Sequence, residues 1–291
     1  MKPTDSSNQK EAIYTEHQRL DQKFKGFIFD LDGTVYLGEK LIPGADETIL
    51  TLRNMGKKVV FLSNKPLYTR EEYARKLTNM GIPTRISEVI NSSYVMAKYL
   101  SEVSPRTRIY VIGETSIINE LQKAGFQLTE DPREVEYVVV TFDRTFTYEK
   151  LNIAFQAIKQ GAHLIATNPD RTCPYEDGEI PDCAGMIGAV EAVTGQKVEV
   201  MVGKPSSIMV EVILNVMRLR PKDCLIIGDR LSTDITMGKN CGISTALVLT
   251  GVTKLENLKI AKIKPDYVLE SVRDLLQLVP TEYVQSILHF K

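Results

Sequence analysis

Short apolar runs alternate along the chain with segments in which apolar residues recur at helical spacing. The run at 27–29 ends abruptly in residues 30–34, DLDGT, and the runs at 58–62, 199–203 and 224–228 also end in polar residues or glycine. A continuous apolar run of this length is typical of a strand buried on both faces of a parallel sheet. Since these runs alternate with helical segments, we predict an α/β fold with a Rossmann-like core and a parallel sheet.

A second series of strands and helices begins after the polar, proline-containing break at 103–106. The predicted organisation is a polar N-terminal extension at 1–22, a core in two parts at 23–104 and 198–291, and an inserted α/β domain at 105–197. We expect the run at 199–203 to be the third strand of the core. The polar stretch 167–182 is predicted to be a long loop, and loops of this length are usually functional, so we expect it to select the substrate.

Composition narrows the choice of partner. The 36 basic and 37 acidic residues of the 291-residue chain nearly cancel, and no run of like charge is long enough to follow a nucleic acid or an anionic membrane. The four cysteines are widely spaced, so we expect free thiols in a reducing compartment. No apolar run reaches the length of a membrane span and the start lacks the apolar stretch of a signal peptide. We therefore expect a cytoplasmic protein that binds neither nucleic acid nor membrane.

Two acids stand at the end of the first predicted strand. In open α/β sheets the ligand binds beyond the carboxyl ends of the strands, which is where Asp30 and Asp32 are expected to lie. Asp30 can attack as a nucleophile or hold a cation, and Asp32, just past the strand, can act as general acid and base. A strand followed by an acidic turn is also a common structural pattern without a catalytic role.

The ends of the later runs carry further polar groups. Ser63 and Asn64 precede a helix that we expect to begin near Thr69, so they form either a phosphate cradle or an ordinary strand-to-helix turn. Lys204 can meet an anion, although an isolated exposed lysine is usually just solvated. Asp229 ends another apolar run, and Asp234 can cap the next helix. Together these groups suggest one anion-binding and cation-binding site.

The combination of these motifs resembles the haloacid dehalogenase (HAD) superfamily. The matching residues are Asp30-Leu31-Asp32-Gly33-Thr34, Ser63, Lys204 and Gly228-Asp229 with Asp234. The inserted domain between Ser63 and Lys204 is similar to the α/β cap, of the C2 type, found in the NagD and para-nitrophenyl phosphatase subfamily, and the chain looks closest to the sugar phosphatases of that group. It departs from the common pattern at Ser63, where threonine is frequent, and at Ser232, where an acid is frequent.

The resemblance implies a role for each matching residue. Asp30 would attack phosphorus to form an aspartyl phosphate, and Asp32 would protonate the leaving oxygen and later activate water. Mg²⁺ would be held by the Asp30 carboxylate, the Asp32 backbone carbonyl and Asp229. Asp234 would orient magnesium-bound waters or Lys204, with helix capping as the alternative. The phosphate-binding residues would be Ser63, Asn64 and Lys204, and the substrate-selecting cap residues would be Asn168, Asp170 and Arg171.

The expected function is therefore a magnesium-dependent phosphomonoesterase for small phosphorylated metabolites, with sugar phosphates favoured and pyridoxal phosphate or nucleotides as alternatives. A second hypothesis is a phosphoryl-accepting switch or phosphate-binding protein with little turnover, since strand-end acids, a hydroxyl and a lysine also occur in response regulators. A dehalogenase is disfavoured, because carbon chemistry does not need Asp32. Lys65 either adds charge for a second anionic group or points into solvent. Family members often dimerise through the cap, which makes a homodimer an expectation.

Overall fold

The computed structural model describes residues 17–175 and 178–280. The strands within these ranges are β1 His17–Arg19, β2 Gly26–Asp30, β3 Tyr36–Leu37, β4 Lys40–Leu41, β5 Lys58–Ser63, β6 Val89–Asn91, β7 Arg108–Ile112, β8 Gln127–Leu128, β9 Tyr137–Val140, β10 His163–Ala166, β11 Thr172–Tyr175, β12 Gly178–Pro181, β13 Val200–Met201, β14 Cys224–Gly228, β15 Ser244–Val248, β16 Tyr267–Leu269 and β17 Leu278–Pro280. The α-helices are α1 Leu20–Lys23, α2 Ala45–Asn54, α3 Arg70–Asn79, α4 Ser92–Val103, α5 Thr115–Lys123, α6 Tyr148–Lys159, α7 Cys183–Thr194, α8 Ser207–Met217, α9 Thr236–Asn240 and α10 Leu255–Ile260. No helix of the described ranges is long and apolar enough to cross a membrane.

The core is a parallel sheet of six strands in the order β16-β15-β14-β2-β5-β6. Its central strand, β2, is buried along its whole length. Alternate residues of β2 point to opposite faces, so Phe27 and Phe29 join one apolar cluster and Ile28 joins the other. A strand that packs on both faces needs apolar residues at every position, which is why the run is continuous. The predicted Rossmann-like α/β core is confirmed.

Local sequence signals place the first helices well. The expected helix start near Thr69 is confirmed, because the Thr69 hydroxyl accepts from the amide of Glu72 at 3.2 Å and the Glu72 carboxylate accepts from the Thr69 amide at 2.8 Å. This reciprocal capping box satisfies two amides that the first helical turn leaves without partners. After β2 the chain forms a short hairpin, β3–β4, in which Tyr36 pairs with Leu41.

A second parallel sheet has the strand order β13-β10-β9-β7-β8. The prediction that 199–203 is the third core strand is wrong, because Val200 and Met201 pair with Ile165 and Ala166 of β10 in this sheet. The core sheet has no opening there, since β14 pairs directly with β2. The next residue, Val202, is fully buried in an apolar cluster that includes residues of both sheets, and its amide donates to the Ala166 carbonyl at 3.1 Å.

The polar stretch 167–182 is also more ordered than expected. Instead of an irregular loop, β11 and β12 form an antiparallel hairpin, with Thr172 opposite Pro181 and Cys173 opposite Ile180. Pro174 and Pro181 lie in these strands, and a strand with a free edge tolerates the missing N–H of a proline. The segment is therefore a hairpin that lies between β10 of the second sheet and α7.

The two ends of the described chain meet. His17–Arg19 pair with Leu278–Pro280, so β1 and β17 form a two-stranded antiparallel sheet. Leu20 of α1 is fully buried in the core cluster, so the fold begins inside the predicted extension at 1–22, of which residues 1–16 lie outside the described residues. A short 3-10 helix, Val272–Leu276, leads into β17. The exact boundaries of the inserted domain stay a prediction.

Candidate active site

Three neighbouring strands of the core sheet end at one edge and deliver polar groups there. Asp30 is the last residue of β2, Ser63 is the last residue of β5, and Asp229 follows the last residue of β14. Because β5 and β14 lie on either side of β2, these side chains meet in one cleft. The edge is the expected ligand-binding edge of the sheet.

Lys204 reaches this cleft from the second sheet, three residues after β13 ends, and its peptide bond to Pro205 is cis. Its side chain is only 4% exposed. The Lys204 Nζ donates to Asp30 Oδ1 and, at 2.8 Å, to Asp234 Oδ1. Burial opposes the charge on this lysine, but Asp234 and Asp30 outweigh it and raise the pKa of Lys204 well above its usual value. The cleft therefore holds a permanent positive charge between two acids.

The acids of the cleft are crowded and buried. Burial raises the pKa of Asp30 above its usual range, and the nearby carboxylates of Asp234 and Asp229 add to the rise, while Lys204 opposes it. Burial raises the pKa of Asp229 as well, with a further contribution from Asp234. Strongly perturbed carboxylates that share a cleft are typical of functional sites, because a fold gains no stability from leaving them so close together.

Asp229 is held with one oxygen free. Its Oδ2 accepts from the Val252 amide at 2.6 Å, whereas Oδ1 is buried without a hydrogen-bond partner among the described residues. Two glycines make room for this carboxylate. A Cβ on Gly33, which has φ +88°, would lie 2.7 Å from Asp229 Oδ2, and a Cβ on Gly251 would overlap the same oxygen. The chain thus places an unsatisfied carboxylate oxygen where burial makes it costly.

A divalent cation fits these residues. One carboxylate oxygen from each of Asp30, Asp229 and Asp234 lies within 4.8 Å of the others. An all-oxygen, negatively charged donor set suits a hard cation such as Mg²⁺, which would also satisfy Asp229 Oδ1. Asp30 and Asp229 were predicted ligands, and Asp234 joins them in the same group. The predicted contribution of Asp32 through its backbone carbonyl stays a prediction.

Asp234 does not cap the following helix. The residue before α9 is Ile235, which makes no side-chain capping bond. Asp234 lies inside a turn of π-helix, Leu231–Ile235, where its Oδ2 accepts from the Arg230 amide at 3.3 Å. Since its Oδ1 accepts a hydrogen bond from Lys204, the geometry favours the role in which Asp234 orients that lysine.

Ser63 is supported by a residue that the sequence did not single out. The Ser63 hydroxyl lies 3.1 Å from the Tyr73 hydroxyl and accepts from the Lys65 amide at 3.1 Å. Tyr73 also donates to the Lys65 carbonyl at 3.0 Å, and burial raises its pKa, so it stays a neutral donor. Tyr73 lies on α3 with ordinary helical spacing, which gave no signal for this role.

Lys65 does not point into solvent. Its Nζ donates to Asp32 Oδ2 at 2.7 Å, and the two side chains are 19% and 26% exposed. The positive charge of Lys65, which was the candidate for binding a second anionic group, is therefore paired with Asp32. Asp32 keeps access to the cleft, as expected for a group that exchanges protons with substrate and water.

The three predicted cap residues occupy different environments. Asp170 lines the cleft, Asn168 is fully buried behind it, and Arg171 is exposed. Asn168 Nδ2 donates to Asp170 at 2.9 Å and to Asp182 at 3.2 Å, so it supports two acids that face the cleft. Their role in substrate selection stays a prediction. Among residues to which no role had been given, Arg230, Thr172 and Cys173 also line the cleft.

The four cysteines are free, as expected. Cys224 is buried among the apolar residues of the core sheet, and Cys183 is buried among the apolar residues of the second sheet. The three histidines lie outside the motifs, and His163 pairs with Glu199 at 2.8 Å on the surface.

Comparison with known proteins identifies the family of this chain. Sequence profiles match at residues 27–127, for the haloacid dehalogenase-like hydrolases, and at residues 201–275, for HAD-like hydrolases. The sugar-phosphatase AraL of Bacillus subtilis is 45% identical over 253 residues, which is 87% of this chain and 92% of that protein.

Two solved structures share the whole architecture. The 4-nitrophenylphosphatase of Thermotoga maritima superposes with a TM-score of 0.85 at 37% identity and covers 89% of this chain and 98% of its own. NagD of E. coli superposes with a TM-score of 0.79 at 31% identity and covers 86% of this chain and 97% of its own. With the strand-end acids, Lys204 and Asp229 in one cleft, the chain belongs to the haloacid dehalogenase-like hydrolases and is a phosphatase of the NagD and para-nitrophenyl phosphatase subfamily.

Proposed function

We propose that this phosphatase is a magnesium-dependent phosphomonoesterase that hydrolyses sugar phosphates through an aspartyl phosphate on Asp30. The observation that carries the proposal is the position of Asp30, which is buried at a strand end beside Lys204 and beside Asp229, whose Oδ1 has no hydrogen-bond partner among the described residues. A carboxylate with a cation on each side can approach a phosphate, which otherwise repels it.

The reaction divides between two acids. An oxygen of Asp30 forms a bond to phosphorus as the bond from phosphorus to the ester oxygen breaks, and Asp32 gives its proton to that leaving oxygen. Asp32, now a carboxylate, takes a proton from water, whose oxygen attacks phosphorus and releases Asp30 with inorganic phosphate. Bound magnesium would neutralise charge on the phosphoryl oxygens. Lys204 and the Ser63 hydroxyl would hold the phosphoryl oxygens throughout, and the Asn64 backbone would assist them.

Sugar phosphates suit the polar lining of the cleft. Asp182 and Thr172 line it, and carboxylates and hydroxyls accept hydrogen bonds from sugar hydroxyl groups. Lys65 is paired with Asp32 and Arg230 lies 3.8 Å from Asp170, so both nearby cations already face an acid. The 45% identity to a sugar-phosphatase supports the same substrate class.

The central experiment measures phosphate release and trapped phosphoenzyme for wild type, Asp30→Asn and Asp32→Asn. We expect no turnover and no phosphoenzyme with Asp30→Asn, because the amide is not a nucleophile. Asp32→Asn should slow turnover by about 10²–10⁴-fold, the usual contribution of a general acid and base. With a good leaving group such as 4-nitrophenolate, that variant should accumulate acid-stable, hydroxylamine-sensitive phosphoenzyme. A turnover-competent Asp30→Asn enzyme would contradict the proposal.

Asp143→Asn is the matched control. Asp143 is a buried aspartate of the inserted domain, ion-paired with Lys150 at 2.6 Å and outside the cleft. The variant loses a buried charge in the same chemical way and should lose stability while the folded enzyme keeps its turnover number.

Metal and substrate are tested on the same preparation. Chelation should abolish turnover and Mg²⁺ should restore it, because the three clustered carboxylates repel the phosphate without a cation. A panel of pentose and hexose phosphates, pyridoxal phosphate, nucleoside monophosphates and 4-nitrophenyl phosphate then ranks kcat/KM. Highest kcat/KM for a sugar phosphate is expected, and a preference for nucleotides or pyridoxal phosphate would contradict the substrate class.

A further inference from the structure

Both polar atoms of the Asn64 side chain are hydrogen-bonded to other groups of the protein. Its Oδ1 accepts from the Lys204 amide at 2.8 Å, and its Nδ2 donates to the Lys204 carbonyl at 3.1 Å and to Asp170 Oδ2 at 2.8 Å. A side-chain amide offers two N–H donors, and both are taken here. Asn64 is 8% exposed, so these bonds are not shared with bulk water.

These bonds hold the backbone of Lys204 on both sides. Because one amide group binds both the N–H and the C=O of the same residue, it fixes the direction in which the Lys204 side chain leaves the backbone. The preceding residue is equally constrained, since Gly203 donates to the Thr167 carbonyl at 2.7 Å and an added Cβ would overlap that oxygen. The position of the Lys204 Nζ between Asp30 and Asp234 depends on this arrangement.

Asp170 connects the same amide to the inserted domain. It lies just before the hairpin β11–β12, and its Oδ2 accepts from both Asn64 and Asn168. Its Oδ1 lies 3.8 Å from Arg230, which follows β14. One carboxylate of the second domain therefore binds groups that follow two different strands of the core.

We propose that Asp170 is a positioning residue that orients Asn64, and through Asn64 the backbone of Lys204. The contact of Asp170 with the core thus helps to set the position of the phosphate-binding lysine. This inference rests on the proposed function, since it assumes that Lys204 binds the phosphoryl group. It differs from the predicted role of Asp170 in substrate selection, because a positioning residue acts on every substrate alike.

The first test compares substrates with different leaving groups. Asp170→Ala should lower kcat by about tenfold or more, in line with the loss of a charge-assisted hydrogen bond. The factor should be equal within error for 4-nitrophenyl phosphate and for the best sugar phosphate, and inorganic phosphate should inhibit more weakly. An increase of KM that is confined to sugar phosphates would overturn the proposal in favour of substrate contact.

The second test asks whether Asp170 acts through Asn64. If it does, the double variant Asp170→Ala/Asn64→Ala should be no slower than Asn64→Ala, because residues in one network are not additive. Fully multiplicative losses would overturn the proposal. The isosteric Asp170→Asn keeps an acceptor for Asn64 and should recover part of kcat, which distinguishes positioning from misfolding.

Asp131→Ala is the control. Asp131 is an aspartate of the same inserted region whose partner, Arg133, is largely exposed, and it lies outside the cleft. Its kcat should equal that of wild type. The two hypotheses fail in different ways: an inactive wild type in the presence of Mg²⁺ contradicts the proposed function, whereas an active wild type with an unchanged Asp170→Ala variant contradicts only the role of Asp170.

Discussion

The Nζ of Lys204 lies between the carboxylates of Asp30 and Asp234, 2.8 Å from the latter, although the lysine follows a strand of the second sheet. The ammonium thus offsets the repulsion between two buried acids. Since the same ammonium faces the expected nucleophile, its removal is predicted to affect both stability and catalysis.

Lys204→Met should lower kcat/KM by about 10²–10³-fold, the usual loss when one donor to a developing charge is removed. Without Mg²⁺ the variant should also unfold at lower temperature, because removal of one partner of a buried ion pair leaves an uncompensated charge. Steady-state kinetics and thermal unfolding measure the two effects. Lys197→Met, which removes an exposed lysine paired with Glu191, is the control and should change neither. Unchanged kcat/KM for Lys204→Met contradicts the assignment.

Gly251→Ala should weaken metal binding more than it weakens folding. The new Cβ overlaps Asp229 Oδ2, so the carboxylate must turn and its free Oδ1 leaves the cleft. We expect the Mg²⁺ concentration for half-maximal activity to rise by about tenfold or more, as for changes that disturb the surroundings of a ligand. Gly188→Ala is the control, since its Cβ meets open space on α7. An unaltered Mg²⁺ requirement in Gly251→Ala argues against a metal on Asp229.

Lys65→Met should affect all substrates to a similar extent. Lys65 is paired with Asp32 at 2.7 Å, and a partly exposed pair of this kind contributes about 1 kcal/mol. We therefore expect a loss in kcat of about fivefold for both a monophosphate and a bisphosphate of the same sugar. If the loss appears only in KM for the bisphosphate, Lys65 binds a second anionic group instead. Lys76→Met, whose lysine contacts Glu39 away from Asp32, is the control.

Asp266 is predicted to make stability depend on acid pH. Burial opposes its charge, but hydrogen bonds from Lys239 and from the Thr245 amide and hydroxyl outweigh burial and lower its pKa. A carboxyl whose pKa is lower in the folded state stabilises the fold at pH values above its unfolded pKa, near 3.9, and loses this effect as pH falls through the folded value.

Asp266→Asn should therefore unfold about 1–3 °C below wild type at pH 7. The difference should shrink as the pH falls below about 4, because protonation makes the wild-type carboxyl neutral, as the asparagine of the variant already is. Thermal unfolding between pH 3 and pH 7 provides the comparison. Lys239→Met should cause a smaller loss, because the Thr245 bonds remain. A difference between Asp266→Asn and wild type that is constant across this pH range would falsify the assignment.

Much of the site could be read from local patterns. Each of these polar groups stands at the end of a continuous apolar strand. They are the acids Asp30 and Asp32, the hydroxyl of Ser63 and the acid Asp229. Parallel strands must end at a common edge, so the convergence of these three groups follows from strand identity alone. Residues outside that rule were harder to place, and Tyr73 on α3 carried no local signal.

Only the folded chain decided how the second domain enters the site. The assignment of β13 to the second sheet depends on which strand has a free edge, and the hairpin β11–β12 depends on pairing between its own two halves. The contact of Asn64 with Lys204 joins residues 140 positions apart, and that of Lys204 with Asp30 joins residues 174 apart. Helical and strand periodicity reports which face of an element is buried, but not which distant side chain meets it. The partners of Asn64 and Asp170 are set by packing between the two sheets, and that of Lys65 is set by the pairing of β5 with β2, so no short stretch of residues could indicate them.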